Sequence, residues 1–196
     1  MTQSSDTPTR LIHAATRQFA ARGYAGASIA SVAQELGLTK QALLHHFGTK
    51  DRLYEAVLDG LADRIMAAIG DTDDVVKTFE RFLDHAGAHP DDAALIAREL
   101  LDQDARAETG RQWFLIPFLN RLTALARGTR PDFTDAEALA EVYAHLGGLL
   151  TYVVSGPTLR GVYGKKALRE LDAALRKVLR KQAKRRFLAK KTGRKV

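Results

Sequence analysis

Apolar residues recur along this 196-residue chain at steps of three and four, and no β-branched alternating run bounded by hairpin turns interrupts them. That periodicity predicts an all-α fold. Glycines punctuate it. A first helix, Thr9–Arg22, carries the stripe Leu11, Ile12, Ala15 and Phe19 and stops at Gly23. A second opens after Ser28, a residue suited to an N-cap, places Ile29, Val32, Ala33 and Leu36 at i, i+3, i+4 and i+7, and ends at Gly37. A third starts after Thr39 and ends near His46, with Leu43 and Phe47 turned inward and a break at Gly48-Thr49. A fourth, Lys50–Ile69, aligns Tyr54, Val57, Leu58, Leu61 and Ile65.

Beyond it the pattern predicts helices near 73–86, 91–108, 111–127, 134–155 and 165–190, with a loop over Gly156–Gly164. The 134–155 segment has two faces. One is large and apolar (Leu139, Val142, Tyr143, Leu146, Leu149, Leu150, Val153, Val154). The other is small (Ala140, Ala144, Gly147, Gly148, Thr151) and allows another helix to approach closely; a second subunit is one source of it.

Charge divides the chain. Residues 1–50 carry a net +3, residues 51–172 a net −7 and residues 173–196 a net +11. The middle repels nucleic acid, so only the two ends can face it. There is no cysteine, hence no disulfide, which fits a reducing cytosol. The start, Met1–Pro8, has no basic and apolar leader pattern and reads as a disordered lead. The longest nearly apolar stretch, Leu146–Val154, is far below the roughly 20 residues of a membrane span. A soluble, cytoplasmic protein without membrane contact is expected.

A helix-turn-helix needs a short helix, a tight turn and a second short helix. Ser28–Leu36, Gly37-Leu38 and Thr39–His46 supply them in order. Gly37 can take the positive φ of the turn without steric cost. If Leu43 and Phe47 hide, then Thr39, Lys40, Gln41, Leu44 and His45 face outward, where an N-terminal helix end can reach base edges. Gln pairs bidentately with adenine, and Lys donates to guanine or phosphate. Ser28 and Thr39, at helix N-termini, offer hydroxyls and backbone N–H groups to a phosphate.

The string from Ala20 to Tyr54 resembles the DNA-binding head of TetR-type (TetR/AcrR) transcriptional regulators. The resemblance rests on Phe19 with Gly23-Tyr24, Ser28, Val32-Ala33, Gly37-Leu38, and Leu43 through His46-Phe47 to Lys50 and Leu53. It covers roughly residues 10–60. It implies an all-α homodimer of about nine helices, the helices near 134–155 and 165–190 forming a four-helix bundle with the partner, and a ligand pocket in the body. It places Ser28, Thr39, Lys40, Gln41, Leu44, His45, His46 and Lys50 where DNA is contacted or the contact supported, Lys50 holding a phosphate. Leu44 stands where the family usually has Tyr, and His45 where an aromatic is common. Leu44 cannot donate to a phosphate, which bears on base preference and not on the fold. The expected organisation is a lead over 1–8, a helix-turn-helix domain over 9–52, a ligand-binding and dimerisation domain over 53–188, and a basic disordered tail over 189–196. The expected function is a ligand-responsive, homodimeric repressor acting on a palindromic operator in double-stranded DNA, with an unspecified small-molecule effector, no cofactor and no metal.

Other candidates are weaker. His45 and His46 are adjacent, and adjacent helical residues do not share a face. His85 and His89 are four apart with Glu80 and Asp84 nearby, but Gly87 and Pro90 end the helix there, and zinc wants three or four ligands with no cysteine to help. Phe82, His85, Trp113, Phe114, Phe118 and Tyr143, with Arg98 as a polar anchor, are candidates for a ligand pocket; an ordinary core predicts most of the same residues. The basic C-terminus is read either as an auxiliary phosphate contact or as a solvated end. No nucleophile elbow, zinc-protease helix, phosphate loop or dinucleotide fingerprint is present, so an enzyme is not expected.

Overall fold

Helix caps set the architecture of the computed structural model, which describes residues 7–101 and 113–188. Every element among them is an α-helix: α1 (Thr7–Gly26), α2 (Ile29–Glu35), α3 (Lys40–Phe47), α4 (Lys50–Ile69), α5 (Val75–Ala88), α6 (Pro90–Leu101), α7 (Ile116–Thr129) and α8 (Asp135–Phe187). Thr134 starts α8 with a full capping box. Its hydroxyl accepts from the Glu137 N–H at 3.2 Å, and the Glu137 carboxylate accepts from the Thr134 N–H at 2.7 Å. Asp74 starts α5 by accepting from the N–H groups of Val76 and Lys77.

The described residues form two compact units. One draws on Met1–Arg64 and His89–Phe114, the other on Ile65–Ala88 and Leu115–Val196. The first closes over Leu11, Phe19, Val32, Leu43, Leu53 and Leu61, and includes α6 through Leu95 and Ile96. The second packs α5, α7 and α8 over Phe79, Phe82, Phe118, Leu122, Val142 and Phe187. Phe82 and Phe118 stack there with centroids 4.9 Å apart.

Several expectations are corrected. Helix α1 starts at Thr7, inside the stretch read as a disordered lead; residues 1–6 lie outside the described ones. Helix α7 starts at Ile116, not at 111: Trp113 is non-helical, Phe114 and Leu115 form a turn, and Pro117 favours a start there, since a missing N–H costs nothing in a first turn. The predicted 91–108 helix is α6 as far as Leu101; its remainder, the Gly110 break, and the tail over 189–196 lie outside the described residues.

The largest correction is at Gly156–Gly164, expected as a loop. The chain stays helical through Pro157 and turns instead at Gly164, where φ is 79° and ψ 167°. Proline removes a single helical rung, and solvent can take up the freed carbonyl on this largely exposed stretch. Only glycine adopts the Gly164 conformation freely. Thus α8 is two limbs joined at Gly164. By length and composition α8 could cross a membrane. Its apolar residues Ala138, Val142, Leu146, Leu149 and Leu150 are buried inside the second unit instead.

Candidate nucleic-acid interface

The α2–α3 pair is built from local signals. Ser28, extended at φ −122° and ψ 130°, caps α2 by accepting from the Ser31 N–H. Gly37 takes φ 70° in the turn, and Leu38 donates back to the Ala33 carbonyl at 2.9 Å. Thr39 caps α3 by accepting from the Ala42 N–H at 3.1 Å. Gly48 then ends α3 at φ 74°. Leu43 is fully buried, so the opposite face of α3 is turned out. Thr39, Lys40, Gln41, His45 and His46 are exposed; Leu44 and Phe47 are half-buried.

Helices α1 and α4 hold this pair in place. Glu35 of α2 accepts from Arg17 and, at 3.2 Å, from Gln18, and the arginine holds its carboxyl below the usual range. Phe19, Tyr24 and Tyr54 form an aromatic triangle, with Phe19 and Tyr54 edge to face at 4.6 Å and Tyr24 and Tyr54 at 5.1 Å. Tyr24 donates to Asp51; burial and that carboxylate push its phenol up to about 12, so it remains a donor at any ordinary pH. Lys50 lies over the Tyr24 ring at 4.5 Å with its ammonium 3.5 Å from the Ala25 carbonyl. The candidate phosphate-binding lysine is thus tethered to the end of α1.

Helix α6 belongs to the same unit, which sequence reading missed. Arg64 of α4 forms a two-pronged pair with the buried Asp92, at 3.0 and 2.6 Å. Tyr54 donates to the buried Glu99. Arg98 donates to the carbonyls of Ala20 and Ala21. The sequence signal was a set of charges within the apolar run of α6, at Asp92, Arg98 and Glu99.

The residues proposed for a ligand pocket are divided between the two units. Arg98, Trp113 and Phe114 belong to the first unit; Phe82, His85, Phe118 and Tyr143 belong to the second. Phe82 and Phe118 are core, and Tyr143 is 57% exposed on α8.

Residues 11–57 match the family model of bacterial regulatory proteins, tetR family. The HTH-type transcriptional repressor SCO4008 of Streptomyces coelicolor is 35% identical over 86 residues, covering 43% of this chain and 45% of that protein. The HTH-type transcriptional repressor Rv3405c of Mycobacterium tuberculosis is 34% identical over 101 residues, 52% of this chain and 50% of the relative. The chain therefore spans about half the length of these curated relatives. A putative transcriptional regulator of Streptomyces coelicolor, SCO4942, has the same fold: its crystal structure superposes with a TM-score of 0.69 at 23% identity, over 92% of this chain and 98% of that one.

Proposed function

We propose that this tetR-type chain is a sequence-specific, DNA-binding transcriptional regulator that acts as a homodimeric, ligand-responsive repressor in the cytoplasm. The observation that carries the reading is the outward face of α3. Lys40 and Gln41 stand exposed in its first turn, on a helix whose inner residue Leu43 is fully buried. A rigid helix presenting a bidentate amide and a cation at its N-terminal end suits the major groove. Thr39 and Ser28 join them at the helix starts, and His45, His46 and Leu44 extend the surface along α3. Lys50 reaches a phosphate from the α1–α4 corner.

Dimerisation is supported by α8. Leu139, Tyr143 and Val154 on its first limb and Leu171 and Val178 on its second are exposed, 37% to 57% each. Added side chains at Gly147 and Gly148 would meet nothing. A second copy of α8 would cover this apolar, small-residue face. Two heads would then read two half-sites, and an effector that binds one head spacing better than another would shift occupancy.

The test is selection of bound sites from random double-stranded DNA, followed by titration of the recovered site. The expected result is a palindromic consensus. Lys40→Ala with Gln41→Ala should weaken binding by roughly tenfold or more and relax preference at the bases they read, since a bidentate contact is worth about 1–3 kcal/mol. Unchanged affinity and preference would refute the assignment of α3.

A further inference from the structure

The second unit contains a cavity of about 470 Å³ between α5 and the two limbs of α8. This lies within the range of about 300–1,000 Å³ typical of small-molecule sites. Its walls include Val76, Phe79 and Leu83 from α5 and Leu149, Leu179 and Ala183 from α8. Two features set it apart from an ordinary packing defect.

One is His145. It lines the cavity, is only 3% exposed, and has no hydrogen-bond partner among the described residues. Aromatic rings lie against it: Phe79 edge-on at 4.4 Å and Phe187 at 6.0 Å. Burial, reinforced by Arg186, holds the imidazole down at about 4, so it is neutral and offers one donor and one acceptor. A polar group of a bound molecule can take up that donor or acceptor.

The other is the charge of the remaining lining. Glu80 pairs with Arg180 at 2.9 Å, and Asp84 pairs with Arg176. Lys177 also lines the cavity, is exposed, and has no carboxylate partner among the described residues. Arg176 pairs also with Asp172 at 2.9 Å, so Lys177 is the lining charge left without a carboxylate partner among the described residues. An entering cation would meet Lys177 and carboxylates already engaged; an entering anion would meet the open charge of Lys177.

We propose that this cavity binds an apolar small molecule carrying a single anionic group, its body against Phe79, Leu83 and Leu149, its charge at Lys177 beside Arg176 and Arg180, and a polar atom within reach of His145. The site deepens the effector reading above and rests on it only for what binding does to DNA occupancy.

Binding can be tested without DNA, on the full chain, with two fluorescent probes that share their rings: anilinonaphthalene sulfonate, an apolar monoanion, and phenylnaphthylamine, its neutral counterpart. The anion should bind saturably and more tightly than the neutral probe. Lys177→Glu, at an exposed position, should weaken the anion by about fivefold and leave the neutral probe nearly unchanged. Ala183→Phe, filling the cavity, should remove the saturable signal of both; thermal melts confirm that each variant is folded. If Ala183→Phe does not fold, Lys177→Glu alone still decides. Equal binding of the two probes, or an anion signal that neither variant moves, would overturn the proposal. So would dissociation of the protein by these variants without loss of probe binding, which would assign the groove to a second copy. None of these outcomes touches operator recognition, whose failure would be seen separately in the site selection.

Discussion

Arg98 of α6 completes the end of the long stretch of α1: its Nε donates to the Ala20 carbonyl and its Nη2 to the Ala21 carbonyl, both at 2.8 Å. The last carbonyls of a helix have no partners within it. Here the regular helix is interrupted at Gly23, where φ is 71° and ψ 175°. A guanidinium from 77 and 78 residues away fills the gap with two charge-assisted bonds.

Arg98→Ala should destabilise the protein by about 1–3 kcal/mol, because two carbonyls lose charged donors. It should also weaken operator binding, since α1 carries Arg17 and Gln18, the donors that hold α2. Arg98→Lys should recover little of either, because a point charge cannot span two carbonyls as a planar fork does. Urea melts and operator titrations check both; an Arg98→Ala protein unchanged in stability would contradict the role given to these bonds.

Gly164→Ala tests the kink in α8. The glycine sits at φ 79° and ψ 167°, a region closed to residues with a Cβ, although the space around it is open. The cost is therefore conformational and not steric contact with neighbours, about 1–3 kcal/mol. The same change at Gly161, which is helical and equally open, should be neutral or stabilising. Comparing the two melting temperatures separates the turn from the proline-containing helix before it.

His145 makes stability depend on pH. Its folded-state value, about 4, lies below the 6.5 of the free group. The unfolded chain therefore takes up a proton that the folded chain refuses. The contribution is fully present above pH 6.5 and is lost as pH falls toward 4. Between pH 7 and pH 5 the expected loss is about 1–2 kcal/mol. His145→Gln should flatten that part of the curve in denaturant melts. A variant with the same slope as the parent would show that His145 is not responsible.

Tyr143→Asp tests the surface of α8. Tyr143 is 57% exposed beside Leu139, and a carboxylate there would be buried by any partner helix. For the proposed dimer, sedimentation should shift from dimer in the parent to monomer in the variant, with affinity for the selected DNA site lost in step while the melt of the isolated chain changes little. A dimeric Tyr143→Asp protein would place the interface elsewhere.

Much of the α2–α3 pair was legible because its signals are local. Ser28 and Thr39 cap helices through N–H groups three residues ahead, and Gly37 and Gly48 sit where the chain needs positive φ. The α8 break was misread for the opposite reason. Pro157 is a strong local signal, yet a helix tolerates one lost rung when its neighbours carry it through, whereas Gly164 gives no sign in sequence that its backbone, and not that of Gly156 or Gly161, is the one that turns.

The sequence by itself determined α2, α3, the turn between them and the outward placement of Thr39, Lys40, Gln41 and His45, because caps, glycine conformations and apolar spacing act over four residues or fewer. Tertiary structure alone decided that Arg98 serves the end of α1, that Lys50 is tethered to Tyr24 and Ala25, and that His145 shares a cavity with Lys177. Those relationships join residues tens of positions apart. Side chains as long as arginine and lysine reach several alternative partners, and only the packed fold leaves them one.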